Sequence, residues 1–289
     1  MDIKDVSALL KEAIDLLKKQ SIPSARLDAQ LLLAHALKKE RSFLFAHPDY
    51  KPSQKEIQNF YSYIKRRKNR EPVAYILGFK EFWDHKFRCT PATLIPRPET
   101  ETIVELCIKK FSSPPKRILD LGTGTGIIGI TLASIWSNDI SFLLLSDISF
   151  NALLIARENA QNILNENFKK AFFICSDWLS AFNKMAKFDL ITVNPPYVSK
   201  SQKHLLQPDV IEYEPKTALF SKGKNGLLDI KTIFEQAPRH LKKGGVIICE
   251  IGFDQKEQVE ELIKKINKYK DIEFYKDLSG IDRVVCATF

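Results

Sequence analysis

The sequence lacks the features that mark membrane, secreted or metal-binding proteins. None of its 289 residues lie in an apolar run near the ~18 residues that a membrane span requires. The start, MDIKDVSALL, contains acids and no long apolar run, so we expect neither a signal peptide nor a transit peptide. The cysteines stand apart, at 89, 107, 175, 249 and 286, with no C-x-x-C pair. We therefore expect a cytoplasmic protein with no disulfide framework and no metal site.

The composition that is present is ordinary for a globular protein, with an excess of positive charge. Apolar residues make up 44% of the chain and charged residues 27%, and the formal net charge is +9. The length suggests two domains. The charge favours an acidic or nucleic-acid partner, or it reflects only a lysine-rich composition, since the lysines are scattered along the whole chain.

The hydrophobic pattern divides the chain into three parts. Residues 1–71 have helical spacing, as in VSALLKEAIDLLKKQ, and Ser53 with Glu56 forms a possible capping box. This helical part ends in the basic stretch Lys65–Arg70, either a solvated helix end or a contact for an acidic partner. Residues 72–95 are short and aromatic and predict a β-hairpin linker with a turn near Asp84.

Residues 96–289 alternate between apolar strands and helical segments. This order predicts an α/β fold with a parallel sheet covered by helices on both faces. The tail, IEFYKDLSGIDRVVCATF, adds two strands that could form an antiparallel hairpin. The predicted parallel strands are 117–121, 142–146, 171–175, 189–193 and 246–251, with helices around 127–136, 149–163, 227–240 and 255–268.

A glycine-rich turn joins the first of these strands to its helix, in RILDLGTGTGIIGITLA. Its G-x-G-x-x-G match, starting at Gly124, would suit a nicotinamide dinucleotide. However, the first glycine is Gly122, and the Asp120 carboxylate would repel a pyrophosphate. A ligand with an ammonium group and no phosphate, such as S-adenosylmethionine, fits better. We expect it to be bound by Asp120, Gly122, Thr123, Gly124, Thr125 and Gly126.

Acidic and aromatic residues follow the next two strands. Asp147, at the tip of the second strand, is placed to accept hydrogen bonds from ribose hydroxyls, unless it only caps the following helix. After the third strand, Asp177 could accept from an adenine amine and Trp178 could stack on the ring, although a lone tryptophan is more often a core residue.

The fourth strand ends in Asn194-Pro195-Pro196-Tyr197, where two prolines stop any strand or helix. The Asn194 oxygen and the Pro195 carbonyl could each accept an N–H of a planar amine, while Tyr197 packs on its face. This arrangement would aim the amine nitrogen at a methyl donor. The pattern suits adenine N6, cytosine N4, guanine N2 and a glutamine amide equally well, and a plain β-turn is the alternative without function.

Over essentially its whole length, the chain resembles the glutamine N5-methyltransferases that modify class I peptide chain release factors (the PrmC/HemK family). The segments that carry the resemblance are PVAYILGFKEFW, TPATLIPRPETE, ILDLGTGTGIIGI, SDIS, SDWL, NPPY and GIDRVV. The most specific of them is LIPRPETE, Leu94 to Glu101, because general N-P-P-Y methyltransferases lack it.

The resemblance implies a Rossmann-like class I methyltransferase domain with a seven-stranded, mostly parallel sheet, preceded by a small all-α domain and a β-hairpin linker. Gly122 to Gly126, Asp147 and Trp178 would hold S-adenosylmethionine, and Asn194 to Tyr197 would bind the substrate glutamine, with Asn194 touching both. Arg97, Pro98 and Glu99 would shape the mouth of the pocket. The substrate would be the Gly-Gly-Gln loop of a class I release factor, recognised with help from the helical domain, and the product S-adenosylhomocysteine. We expect a monomer with no membrane partner and no direct nucleic-acid substrate.

Two other function classes remain as alternatives. A methyltransferase for amino groups of DNA or RNA bases is favoured by the positive charge, but LIPRPETE and the lack of a target-recognition domain of usual size disfavour it. A non-catalytic cofactor-binding or ribosome-associated module is disfavoured by the intact N-P-P-Y.

Overall fold

The computed structural model describes residues 4–223 and 225–289, which form two compact units. The first, the helical unit, runs to Gly78 and also includes Gln207–Tyr213. The second, the sheet unit, comprises Phe79–Leu206 and Glu214–Phe289.

The helical unit is built from amphipathic helices around one apolar core. Asp5 caps the first helix by accepting a hydrogen bond from the Ala8 N–H, and the predicted capping box of Ser53 and Glu56 is confirmed at the start of the fourth. Buried side chains such as Leu9, Leu33 and Phe60 fill the centre. The helices are α1 (Val6–Lys18), α2 (Ala25–Leu37), α3 (Arg41–Ala46), α4 (Gln54–Lys68), α5 (Val73–Leu77) and, from the returning segment, α9 (Pro208–Tyr213).

The basic stretch at the end of α4 is partly structural. The Arg67 side chain is 5% exposed and pairs with Asp28 at 2.7 Å and Asp209 at 3.2 Å. Arg66 pairs with Glu71. Arg67 is therefore a buried structural residue, whereas Arg66 is held in an ion pair but keeps 43% of its side chain exposed.

The sheet unit begins with the expected hairpin, β1 (Phe79–Phe82) and β2 (His85–Arg88), which pair antiparallel around a turn at Trp83-Asp84. The main sheet has seven strands in the order β5-β4-β3-β6-β7-β9-β8, and β9 alone runs antiparallel to the other six. The seven-stranded, mostly parallel sheet is thus confirmed. Its strands are β3 (Arg117–Leu121), β4 (Phe142–Asp147), β5 (Ala171–Cys175), β6 (Phe188–Val193), β7 (Leu241–Glu250), β8 (Asp271–Lys276) and β9 (Asp282–Thr288).

Successive side chains of the central strands enter two separate cores, one on each face of the sheet. Ile118 lies in the first core and Leu119 in the second, as the period of two requires. Helices cover both faces, in the arrangement expected for parallel strands. They are α6 (Glu101–Lys110), α7 (Ile127–Ile135), α8 (Phe150–Leu164), α11 (Leu228–Gln236) and α12 (Lys256–Ile266), and the short α10 (Lys216–Leu219) belongs to the same unit.

Two segments differ from the sequence-based expectation. Val73–Leu77, predicted as part of the hairpin linker, is a short helix that starts after Pro72 and ends at Gly78, whose φ is +83°. The helical unit accordingly extends to Gly78 and not to residue 71. Strand β7 begins at Leu241, before the predicted 246, because Leu241 pairs with Phe188 across an irregularity in the register.

Within the described ranges, no helix is long and apolar enough to cross a membrane. The same residues contain no cluster of histidine, cysteine, aspartate or glutamate that could hold a metal ion.

Candidate active site

The register of the sheet brings the predicted site residues into one row. Leu121 is level with Ser146 on β4 and with Val193 on β6, so Gly122, Asp147 and Asn194 follow at neighbouring strand ends. Val193 is in turn level with Cys249 on β7. Glu250 therefore joins the row beside Asn194, at the carboxyl edge of a parallel sheet, where ligands of such folds bind.

Two positions of the glycine loop after β3 combine a positive φ with close neighbours, so both favour glycine. Gly122 has a φ of +63°, and a Cβ there would come within 3.3 Å of the Trp178 ring. At Gly126, with a φ of +87°, a Cβ would lie 2.3 Å from Ile130 Cδ1. The N–H of Thr123 donates to the Ser146 carbonyl at 2.9 Å, which ties the loop to the neighbouring strand.

Asp120 lies beneath this loop, and its carboxylate bonds to the protein itself. Oδ2 accepts from the Thr123 hydroxyl at 2.6 Å and the Gly129 N–H at 3.2 Å, and Oδ1 accepts from the Thr192 hydroxyl at 2.8 Å. Burial raises the pKa of Asp120 to about 6, against the lowering effect of these hydrogen bonds. The structure therefore places Asp120 as an anchor of the loop and of the first turn of α7.

Asp147 also holds the loop but keeps capacity for further hydrogen bonds. Its Oδ2 accepts from the Gly124 N–H at 2.9 Å, and its Oδ1 accepts from the Ser149 N–H at 2.8 Å. The cap of α8 is Ser149, which accepts from Ala152, so Asp147 is not the helix cap. Because a carboxylate oxygen can accept more than one hydrogen bond, both oxygens of Asp147 can also accept hydroxyl groups of a ligand. Burial raises the pKa of this carboxyl, and its bonds to backbone N–H groups oppose the rise.

Asp177 and Trp178 follow β5 with different surroundings. Asp177 is exposed and forms an ion pair with Lys222 at 3.0 Å. Trp178 is half-buried, and its indole N–H donates to Oδ1 of the buried Asp229 at 3.1 Å. Its ring thus lies against the glycine loop at Gly122 and packs in part on the core beneath it.

The N-P-P-Y turn is clamped from behind. The Asn194 Nδ2 donates to Thr100 Oγ1 at 3.2 Å, and the Tyr197 hydroxyl donates to Glu250 Oε1 at 3.1 Å. Gln255 Nε2 donates to the Tyr197 carbonyl at 3.1 Å. A Cβ at Gly226 would lie 2.2 Å from that carbonyl oxygen, so only glycine fits there. The turn therefore has a fixed backbone and two tethered side chains.

The LIPRPETE segment reaches this turn through Thr100. Arg97 donates to Oε1 of the buried Glu214 at 2.6 Å, and the Ile95 N–H donates to its Oε2 at 3.1 Å, which anchors the segment. Glu99 is exposed. Thr100, which is fully buried, is the member of this segment that contacts Asn194.

Sequence reasoning missed Thr100 and Glu250 as site residues. Glu250 has a recognisable signal, an acid at the end of the apolar strand VIICE that becomes the neighbour of the N-P-P-Y strand. Thr100 lies in the LIPRPETE segment that carries the resemblance, but no local pattern shows its contact with Asn194, because the two residues are 94 positions apart.

Comparisons with known proteins agree with this architecture. The family model "PrmC N-terminal domain" matches residues 8–78, and "Methyltransferase small domain" matches residues 100–228. A solved methyltransferase from Pyrococcus furiosus shares the fold with a TM-score of 0.51 at 17% identity, covering 80% of this chain and 98% of that one. The hMettl16 catalytic domain aligns with a TM-score of 0.54 at 14% identity, over 75% of this chain and 80% of that one. The fold is that of a class I methyltransferase.

Sequence relatives define the family more narrowly. A release factor glutamine methyltransferase from Clostridium botulinum is 40% identical over 291 residues, 99% of each chain. A relative of the same name from Vibrio cholerae is 38% identical over 98% of this chain and 96% of its own. Another from Escherichia coli is 36% identical over 97% of both chains. The chain belongs to the release factor glutamine methyltransferase family.

Proposed function

We propose that this protein transfers a methyl group from S-adenosylmethionine to the side-chain amide nitrogen of the glutamine in the Gly-Gly-Gln loop of class I peptide chain release factors. When bound, S-adenosylmethionine supplies an electrophilic methyl carbon: a nitrogen–carbon bond forms, the carbon–sulfur bond breaks to leave S-adenosylhomocysteine, and the nitrogen gives one proton to water. The relatives at 36–40% identity over nearly full length support this substrate.

The orientation of the Asn194 amide carries the proposal. Its Nδ2 is already used by Thr100, and its Oδ1 receives no hydrogen bond from any residue that the structure describes. Oδ1 is therefore the end of the amide that can accept an N–H from a substrate. An amide nitrogen is a weak nucleophile because its lone pair is delocalised, so it needs two acceptors that hold its N–H groups and direct the lone pair.

The rest of the turn supplies the second acceptor and a packing surface. The Pro195 carbonyl would take the other N–H, and neither Pro195 nor Pro196 has an N–H of its own to compete. The Tyr197 hydroxyl is held by Glu250, and burial raises the pKa of this phenol above its usual range. Tyr197 therefore stays protonated, and we assign it to packing against the planar amide and not to proton transfer.

The loop and its neighbours fit S-adenosylmethionine. A Cβ at Gly124 would meet no atom within 4 Å, so the loop leaves open space beside a bare backbone. The Asp147 carboxylate next to it would accept hydrogen bonds from the ribose hydroxyls. Asp177 and Trp178, which follow β5, would contact the adenine. We assign Asp120 to shaping the loop through Thr123 and Gly129, because its carboxylate already accepts three hydrogen bonds from donors within the protein.

The helical unit would bind the body of the release factor, because a Gly-Gly-Gln tripeptide is too small an epitope to select one protein. Such a reaction on the translation machinery would take place in the cytoplasm.

Replacing Asn194 by alanine tests the assignment. We expect Asn194→Ala to abolish transfer to a release factor and to weaken S-adenosylmethionine binding only modestly, measured by isothermal titration calorimetry. Asn138→Ala, at an exposed loop position after α7, is the matched control and should leave both unchanged. Complete loss of cofactor binding in Asn194→Ala would show that this side chain serves the cofactor and not the acceptor.

A further inference from the structure

A buried chain of hydrogen bonds runs behind the N-P-P-Y turn. Asn194 Nδ2 donates to Thr100 Oγ1 at 3.2 Å, and the Thr100 hydroxyl donates to Glu250 Oε2 at 2.8 Å. The other carboxylate oxygen of Glu250 accepts from the Tyr197 hydroxyl at 3.1 Å. Thr100 is 0% and Glu250 1% exposed, so water does not compete for these groups.

When Glu250 is ionised, its charge sets the direction of each hydrogen bond. An ionised carboxylate only accepts hydrogen bonds, so it takes the single hydroxyl hydrogen of Thr100. Thr100 Oγ1 is then left as an acceptor and must face the NH2 end of Asn194. The Asn194 oxygen consequently points the other way.

We propose that Glu250 and Thr100 are positioning residues for methyl transfer, which act through Asn194 by fixing its amide with Oδ1 toward the acceptor nitrogen. The inference rests on the proposed function, since it assigns an orientation to the group that would hold the substrate amide. It also assigns a role to the LIPRPETE segment, because that segment contains Thr100 and positions it beside Asn194.

A neutral Glu250 would no longer fix the direction of the hydrogen bonds of Thr100 and Asn194. A carboxylic acid can donate to Thr100, whose hydroxyl could then turn to the Asn194 oxygen and reverse the amide. The groups that act on Glu250 are Thr100, Tyr197 and Arg283, which favour its charge, and Glu99, which opposes it. Burial is the largest influence and raises the pKa of this carboxyl above its usual range. We expect the turnover rate to fall on the acid side as Glu250 takes up its proton.

Thr100→Val tests the hydrogen-bonded series at Thr100, which lies between Asn194 and Glu250. Valine has nearly the same shape but offers Asn194 no acceptor, so we expect kcat to fall roughly 10- to 100-fold through lost orientation, with little change in the S-adenosylmethionine Kd. Thr100→Ser restores the hydroxyl and should recover most of the rate. The matched control is Thr131→Val, an equally buried threonine in α7 whose Oγ1 has no hydrogen-bond partner among the described residues, and it should keep the wild-type kcat.

The pH profile separates positioning from a merely structural role. Glu250→Gln cannot ionise, so the acid limb of kcat assigned to Glu250 should disappear from its profile, while circular dichroism and S-adenosylmethionine binding report whether it folds. An unchanged acid limb, or a Thr100→Val enzyme as active as Thr131→Val, would overturn the inference while the wild type still labels the release factor. If the wild type labels no glutamine, the proposed function fails and this inference fails with it.

Discussion

Replacing Asp120 by asparagine should change how the stability of the sheet unit depends on pH. Asp120 is 1% exposed, and its pKa is raised from 3.8 to about 6, chiefly by burial. Between these values the unfolded chain has lost this proton and the folded chain has kept it, so the free energy of unfolding falls as pH rises. The stabilising contribution is complete below pH 3.8 and is lost as pH rises through about 6.

The two pKa values set the magnitude. Between pH 4.5 and pH 7.5, this single proton removes about 2 kcal/mol from the wild-type free energy of unfolding. Asparagine has no such proton. The oxygen of the asparagine amide can replace Oδ2 as the acceptor for Thr123 and Gly129. Its NH2 group can donate to the Thr192 hydroxyl, which in the wild type donates to Oδ1. The difference in free energy of unfolding between Asp120→Asn and the wild type should therefore change by about 2 kcal/mol from pH 4.5 to pH 7.5, in favour of the variant.

Urea denaturation followed by tryptophan fluorescence is the assay. The three tryptophans, at 83, 136 and 178, all lie in the sheet unit, so the signal reports on the unit that contains Asp120. Asp139→Asn, at an exposed carboxylate of the same unit, is the matched control. A difference between Asp120→Asn and wild type that stays flat from pH 4.5 to pH 7.5 would refute the reasoning.

Three further predictions concern single groups. Asp147→Ala should raise the S-adenosylmethionine Kd about 10-fold or more, because charged hydrogen bonds to the ligand and the anchor of the loop are lost; unchanged affinity in calorimetry would count against the ribose contact. Thr131→Val should raise the free energy of unfolding by about 1 kcal/mol in urea denaturation, because it removes a buried hydroxyl that has no partner among the described residues, and a loss of stability would contradict this. Arg67→Met should destabilise the helical unit by about 3 kcal/mol, because the buried Asp28 loses its positively charged partner and its carboxylate keeps, among the described residues, only the hydrogen bond from Ser24, whereas Arg70→Met should be nearly neutral. Hydrogen exchange of the helical unit measures this difference, and equal protection in both variants would show that the buried pair contributes little.

Local patterns in the sequence predicted most of the sheet unit. Strands 117–121 and 171–175 have the bounds that the apolar runs indicate. The first is buried and the second lies at the edge of the sheet, but in both the apolar run stops at polar or turn residues. The glycine loop and the acids at strand tips were equally readable, since the carboxyl ends of parallel strands share one edge.

What the sequence did not reveal depends on long-range contacts. Arg67 belongs to a run of basic residues, but it is buried because Asp28 and Asp209 meet it from distant parts of the chain. The contact of Thr100 with Asn194 is equally remote. The helix at Val73–Leu77 was missed because five apolar residues are too few to show helical periodicity, although Gly78 was a usable stop signal.

Transfer of labelled methyl from S-adenosylmethionine to a purified class I release factor tests the central claim most directly. A matched factor with its loop glutamine changed to alanine is assayed beside it, together with DNA and RNA. We predict label on the intact factor alone, located at the glutamine by mass spectrometry. Label on nucleic acid, or on the factor without its loop glutamine, would contradict the account.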